Sequence, residues 1–140
     1  MRKEFLAAFV ALFWAFAAHA QGISAADDAA IRSTIGRQVD AFRADDGERA
    51  FAFADDSIRA MFGDSGRFMA MVREGYPTIY RPRGLVFGAA EDRGEIVAQI
   101  VEFDGLDGTS AVFLYEMRRQ PDGGFRIAGV YLLRKGRPAV

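Results

Sequence analysis

The sequence has no cysteine and a single histidine, His19, among its 140 residues. The first absence excludes disulfides, thiol nucleophiles and covalent haem attachment. The second leaves no Ser–His–acid triad and no zinc or copper site of the usual nitrogen and sulfur ligands anywhere beyond residue 19. Lysine is almost missing too, with only Lys3 and Lys135, so arginine carries the positive charge. The 18 basic and 19 acidic residues sum to a formal charge of −1, a mixed balance that gives no electrostatic case for nucleic acid. A metal would need oxygen ligands. The stretch Asp104-Gly105-Leu106-Asp107-Gly108 lacks the alternating acids and distal glutamate of a calcium loop, and it reads as a hairpin turn. Neither metal nor cofactor is expected.

Of what is present, the N-terminus is the most specific. Met1-Arg2-Lys3-Glu4 leads into an unbroken apolar run from Phe5 to Ala18, followed by Ala18-His19-Ala20. A basic start, an apolar stretch and small residues before the cut are the three parts of a secretory signal. As a helix the run would reach about 21 Å, short of a hydrocarbon core of about 30 Å. The expectation is cleavage after Ala20, a periplasmic or secreted destination without a membrane anchor, and one domain over 21–140. A domain of that size buries roughly two thirds of its unfolded surface and holds a core without covalent staples.

From Asp27 the period is helical. Ile31, Ile35, Val39 and Phe42 recur at spacings that gather them on one stripe, and Ser24 with Asp27 forms a capping pair. Asp45-Asp46-Gly47 ends this helix. A second helix is expected over Glu48–Ala54, with a further turn near Ser57–Phe62. A third is capped by Asp64-Ser65 and stopped by Gly75 and Pro77. After Pro82 the period becomes two. Strands are expected at about Arg83–Ala90, Glu95–Phe103, Thr109–Arg118 and Phe125–Arg134, separated by glycine-rich turns such as Pro121-Asp122-Gly123-Gly124. About three helices followed by a four-stranded antiparallel meander make an α+β domain.

Symmetric pairing about the turns assigns the faces. Leu85, Phe87, Val97, Gln99, Val101, Phe103, Phe113, Tyr115, Met117, Ile127, Tyr131 and Leu133 share a bulky face, which the helices are expected to cover. In that register Gly129 lies opposite Tyr115. Val86, Ile96, Ala98, Ile100, Val112, Leu114, Ala128, Val130 and Leu132 share the other face, rimmed by Glu102, Glu116, Arg126 and Arg134. No helix is left for this aliphatic surface, so a homodimer packed sheet to sheet is the expected remedy.

Arg81 and Arg83 flank Pro82 in an extended segment, so both are expected to project inward at the mouth of the aromatic face. With Tyr80, Gln38, Gln99, Tyr115 and Tyr131 they make a candidate binding set for an anionic head on an apolar body. The competing account pairs the two arginines with Asp45, Asp46, Asp55 or Asp56 to pin helices to the sheet. Phe51, Phe53, Met61, Phe62, Met69 and Met71 form a soft apolar group that serves equally as core or as a binding wall. Catalysis by a carboxylate base with a tyrosine donor needs an inward acid, and none falls on the inner face. No catalytic residue is therefore assigned.

The segments Ala41-Phe42-Arg43-Ala44-Asp45-Asp46-Gly47, Phe68 to Arg73, Gly75 to Arg83 and Gln120 to Ile127 resemble an exported bacterial family known as domain of unknown function 4864. Tyr76-Pro77-Thr78-Ile79-Tyr80-Arg81-Pro82-Arg83 is the most specific part. More distantly, helices before an antiparallel sheet resemble the nuclear-transport-factor-2-like, or cystatin-like, cone, which implies a curved sheet and no single activity. Three functions stay open: non-catalytic binding of a small, partly apolar molecule, assembly through the outer sheet face, and carboxylate–tyrosine catalysis of an isomerase or hydrolase type.

Overall fold

The structure, a computed structural model, describes residues 22–136. The expected signal segment lies outside them. Among the described residues five helices precede four strands: α1 (Ala25–Arg43), α2 (Gly47–Ala52), α3 (Asp56–Phe62), α4 (Ser65–Gly75) and α5 (Pro77–Tyr80), then β1 (Pro82–Asp92), β2 (Ile96–Gly105), β3 (Ser110–Arg119) and β4 (Phe125–Lys135). This is an α+β domain.

Short polar side chains start four of the helices. Ser24, Asp46, Asp55 and Asp64 each accept a hydrogen bond from an amide in the first turn of the helix they precede, which satisfies a donor that the helix itself cannot. The sequence reading separates three helices. The expected turn near Ser57–Phe62 is a true helix, α3, because Asp55 caps it and Gly63 ends it at φ 79°. Pro77 does not simply stop the chain after α4. It occupies the first turn of α5, where a missing amide proton costs nothing.

The four strands form one antiparallel sheet in sequence order. Ile31, Ile35, Val39 and Phe42 of α1 are buried with Val97, Val101, Phe103, Phe113, Tyr115, Met117 and Ile127 in one cluster, so the helices cover the expected face. The segment Phe53–Asp55 adds to the outer edge of β4. The Ile127 amide donates to the Phe53 carbonyl at 2.9 Å, and the Asp55 amide donates to the Ile127 carbonyl at 2.8 Å. Those two bonds tie the short helices to the sheet.

Register beyond Ile127 departs from the symmetric pairing. Met117 pairs with Ile127, but Glu116 pairs with Gly129, leaving Ala128 as an extra residue. A one-residue bulge exchanges the faces of everything after it. Tyr115 therefore lies opposite Val130 rather than Gly129, and Tyr131 lies opposite Leu114 on the outer face, 52% exposed. Val130, expected outside, packs against the core. Leu133, expected inside, is the extra residue of a second irregularity and is 53% exposed. Gly129 lies under the Tyr131 ring: a Cβ there would stand 2.9 Å from the Tyr131 hydroxyl and from Glu116 Oε1. The rest of the outer face carries Val86, Ile96, Ile100, Val112 and Leu114, all at least partly exposed and uncovered by any described element.

Candidate functional site

A cleft of about 410 Å³ opens between α3, α4 and α5 on one side and β3 and β4 on the other. The buried residues Gln38, Phe42, Phe68, Tyr115 and Ile127 form its floor, and Ile58, Phe62, Met71, Tyr76 and Val130 form its walls. The half-exposed Tyr131 and Met61, at 75% exposure, stand at the mouth. Among the described residues, no Asp, Glu, Lys or Arg lines the cleft. The Phe53–Asp55 pairing docks the start of α3 on β4 at Ile127, and past the Ala128 bulge Val130 joins Ile58 and Phe62 in the lining.

Its polar groups are few. Gln38 donates from Nε2 to the Ala50 carbonyl at 3.1 Å, which spends that end of the amide on the α1–α2 packing. Tyr76 donates to the Val130 carbonyl at 3.3 Å. The Tyr115 hydroxyl is completely enclosed and has no hydrogen-bond partner among the described residues. Burial, with a smaller contribution from the nearby Tyr76, pushes its pKa far above that of a free phenol, so this hydroxyl keeps its proton at any ordinary pH. Tyr131 is also held above the usual phenol value, first by the neighbouring Glu116 carboxylate.

The candidate binding set does not assemble as one site. Gln38, Tyr115 and Tyr131 line the cleft, although Tyr131 does so from the mouth and from the opposite sheet face to the one expected. Gln99 is buried beside Tyr115 but turns to β1, donating to the Gly88 carbonyl at 3.0 Å and, within its own strand, to the Ile100 carbonyl at 2.8 Å. It supports the irregular pairing between Phe87 and Ala90.

The two arginines are elsewhere and apart. A register shift between Pro82 and Gly84 breaks the alternation that would have aligned them. Arg81 lies over the Tyr80 ring, donates to the Phe42 carbonyl and pairs with Asp45 at 2.8 Å. Tyr80 donates to the same Asp45 carboxylate, and Arg73 approaches it at 3.9 Å. The Tyr80 hydroxyl, and after it Arg81, hold the Asp45 carboxyl below the usual aspartate range against the cost of desolvation. Arg83 is exposed and donates to the Leu106 carbonyl at 3.2 Å. The pairing account is what the geometry favours for Arg81, which fastens the end of α1 to the start of β1.

The soft apolar group is shared between core and cleft, with Phe53 packed against the core and Phe62 and Met71 touching both. Phe51 and Met69 belong to the core, while Met61, Phe62 and Met71 line the cleft. Sequence reasoning singled out neither Tyr76 nor Ile58 as a site residue. Tyr76 stands between Gly75 and Pro77, and its position became visible only once Pro77 is recognised as the start of α5.

A family model described as Domain of unknown function (DUF4864) matches residues 24–140. The chain belongs to this family. No curated protein and no solved structure matches it. The match covers every helix and strand of the DUF4864 domain described here, including the cleft and the Asp45–Tyr80–Arg81 cluster. No described helix is long and apolar enough to cross a membrane.

Proposed function

We propose that this DUF4864 domain binds a small, largely apolar molecule without transforming it. The observation that carries the reading is a cleft of about 410 Å³ whose lining is apolar apart from one glutamine and three tyrosines. That volume falls in the range of about 300–1,000 Å³ typical of ligand sites. An enzyme at this position would need a group poised to exchange protons near neutral pH, and the lining offers no carboxylate, imidazole or amine. The anionic head group drops out with Arg81 and Arg83, neither of which borders the cleft.

The test is a titration with the uncharged fluorophore N-phenyl-1-naphthylamine. Saturable, blue-shifted emission at one site per chain, lost in Met71→Arg while the far-ultraviolet circular dichroism stays unchanged, is the expected result. Emission that grows linearly, or that Met71→Arg leaves intact, would refute the cleft as the site.

A second reading concerns the outer sheet face. Val86 is 62% exposed there, and Ile96, Ile100, Val112 and Leu114 share the face, with no described helix covering it. Packing of two copies through this face would remove an apolar patch from water, and light scattering at micromolar concentration would reveal the doubled mass. The basic start, apolar run and Ala18-His19-Ala20 support export with cleavage after Ala20, which the N-terminal sequence of the secreted protein would verify. Helices packed on one face of a bulged antiparallel sheet support kinship with the nuclear-transport-factor-2-like cone.

A further inference from the structure

We propose that Tyr115 is the polar recognition group of the cleft, and that the occupant is an uncharged apolar molecule carrying a hydrogen-bond acceptor, of the ketone, ester or ether class. This rests on the binding reading above and adds to it the chemistry of the ligand.

Tyr115 is completely buried, borders the cleft, and carries a hydroxyl that bonds to nothing among the described residues. An enclosed O–H without an acceptor is costly, and most buried polar groups in folded proteins find a partner. The surroundings provide no obvious one. The acceptor oxygens of Gln38 and Tyr76 lie beyond hydrogen-bond reach of the hydroxyl, and so does Gln99 Oε1, itself buried without a partner among the described residues. Phe103 packs beside the Tyr115 ring at 6.2 Å between centroids. Gln99, the cross-strand partner of Tyr115, faces the β1 carbonyls instead and is not part of the lining. A molecule filling the cleft completes this bond only if it brings an acceptor, because a ligand donor would leave the phenol proton unmatched. A charged acceptor is disfavoured: no cation lines the cleft, and an uncompensated carboxylate would lose its hydration on entry.

The experiment competes 2-nonanone, nonane and nonanoate against N-phenyl-1-naphthylamine at pH 8, on the wild-type protein and on Tyr115→Phe. The expected order in the wild type is 2-nonanone first, ahead of nonane by about five- to tenfold, with nonanoate weakest. Tyr115→Phe should erase the preference for the ketone, retain nonane binding, and leave the melting temperature of the empty protein equal or higher. Equal binding of ketone and alkane by the wild type, a ketone preference that survives in Tyr115→Phe, or nonanoate binding tightest would each overturn this inference alone. Failure of the fluorophore and all three compounds to bind would overturn the cleft reading and this inference with it.

Discussion

Across 35 residues of chain, the Tyr80 hydroxyl donates to the Asp45 carboxylate, and the Arg81 guanidinium lies 4.1 Å above the same tyrosine ring while pairing with the same acid. Asp45 itself has a positive φ of 53° at the end of α1, a conformation that Asp and Asn tolerate better than most residues. The cluster fastens the last turn of α1 to the strand that starts the sheet.

Arg81→Gln should therefore lower the melting temperature and leave N-phenyl-1-naphthylamine affinity unchanged, since Arg81 does not border the cleft. Thermal melts and fluorescence titrations of the same preparation separate the two effects. A weakened affinity in a variant that is fully folded would return Arg81 to the binding site.

Asp45→Asn keeps the shape and the tolerance of positive φ while removing the charge. The Asp45 pKa is lowered in the folded state, first by Tyr80 and then by Arg81. Its contribution is thus present above the ordinary aspartate pKa of about 3.9 and is lost as pH falls through the lower folded value. Urea midpoints should show wild type above Asp45→Asn at pH 6–7, with the gap closing below about pH 4.

Asp55 is 2% exposed and caps α3, accepting from the Ser57 amide at 2.5 Å, the Ser57 hydroxyl at 2.6 Å and the Arg118 guanidinium. Asp55→Ala removes the cap and strands the Arg118 contact, so it should cost about 2 kcal/mol, toward the upper end for N-cap losses. Chemical denaturation measures it. Because Arg118 remains 42% exposed and can regain water, a cost far above that figure would mean that α3 undocks from β4 as a unit.

How far the sequence reached can be judged strand by strand and residue by residue. Alternation identified the inward row Val97, Val101, Phe103, Phe113, Tyr115 and Met117 because β2 and β3 pair without a register shift. It failed after Ile127, where Ala128 is inserted, because a bulge leaves no mark on hydrophobic alternation when the residues around it are Ala, Gly and Val. The same cause separated Arg81 from Arg83 across the irregularity at the start of β1. Helix starts were readable wherever a Ser or Asp cap preceded an apolar stripe, as at Ser24 and Asp64. The cleft was not readable, since it depends on where the Phe53–Asp55 segment docks on β4, a contact between positions more than seventy residues apart.

Gly129→Ala tests the bulge directly. Its methyl group would displace the Tyr131 ring and the Glu116 carboxylate, both ends of flexible side chains, so folding should survive. Tyr131 would move away from the Glu116 carboxylate that holds its pKa up, and ultraviolet titration should show one phenol moving down toward the free value of about 10.

Met61 stands in the mouth of the cleft at 75% exposure. Met61→Ser should change stability by less than about 0.5 kcal/mol, as expected for an exposed site, while weakening the fluorophore measurably. Equal affinity in the variant would mean that the ligand sits deeper than the mouth.

The most direct test of the central claim is native mass spectrometry of the protein, purified from its own cells without detergent and then exposed to a mixture of uncharged nine- to eleven-carbon compounds. The account predicts one added neutral mass per chain, lost on acid denaturation and absent from Met71→Arg. A chain that stays at its bare mass before and after that exposure would contradict it.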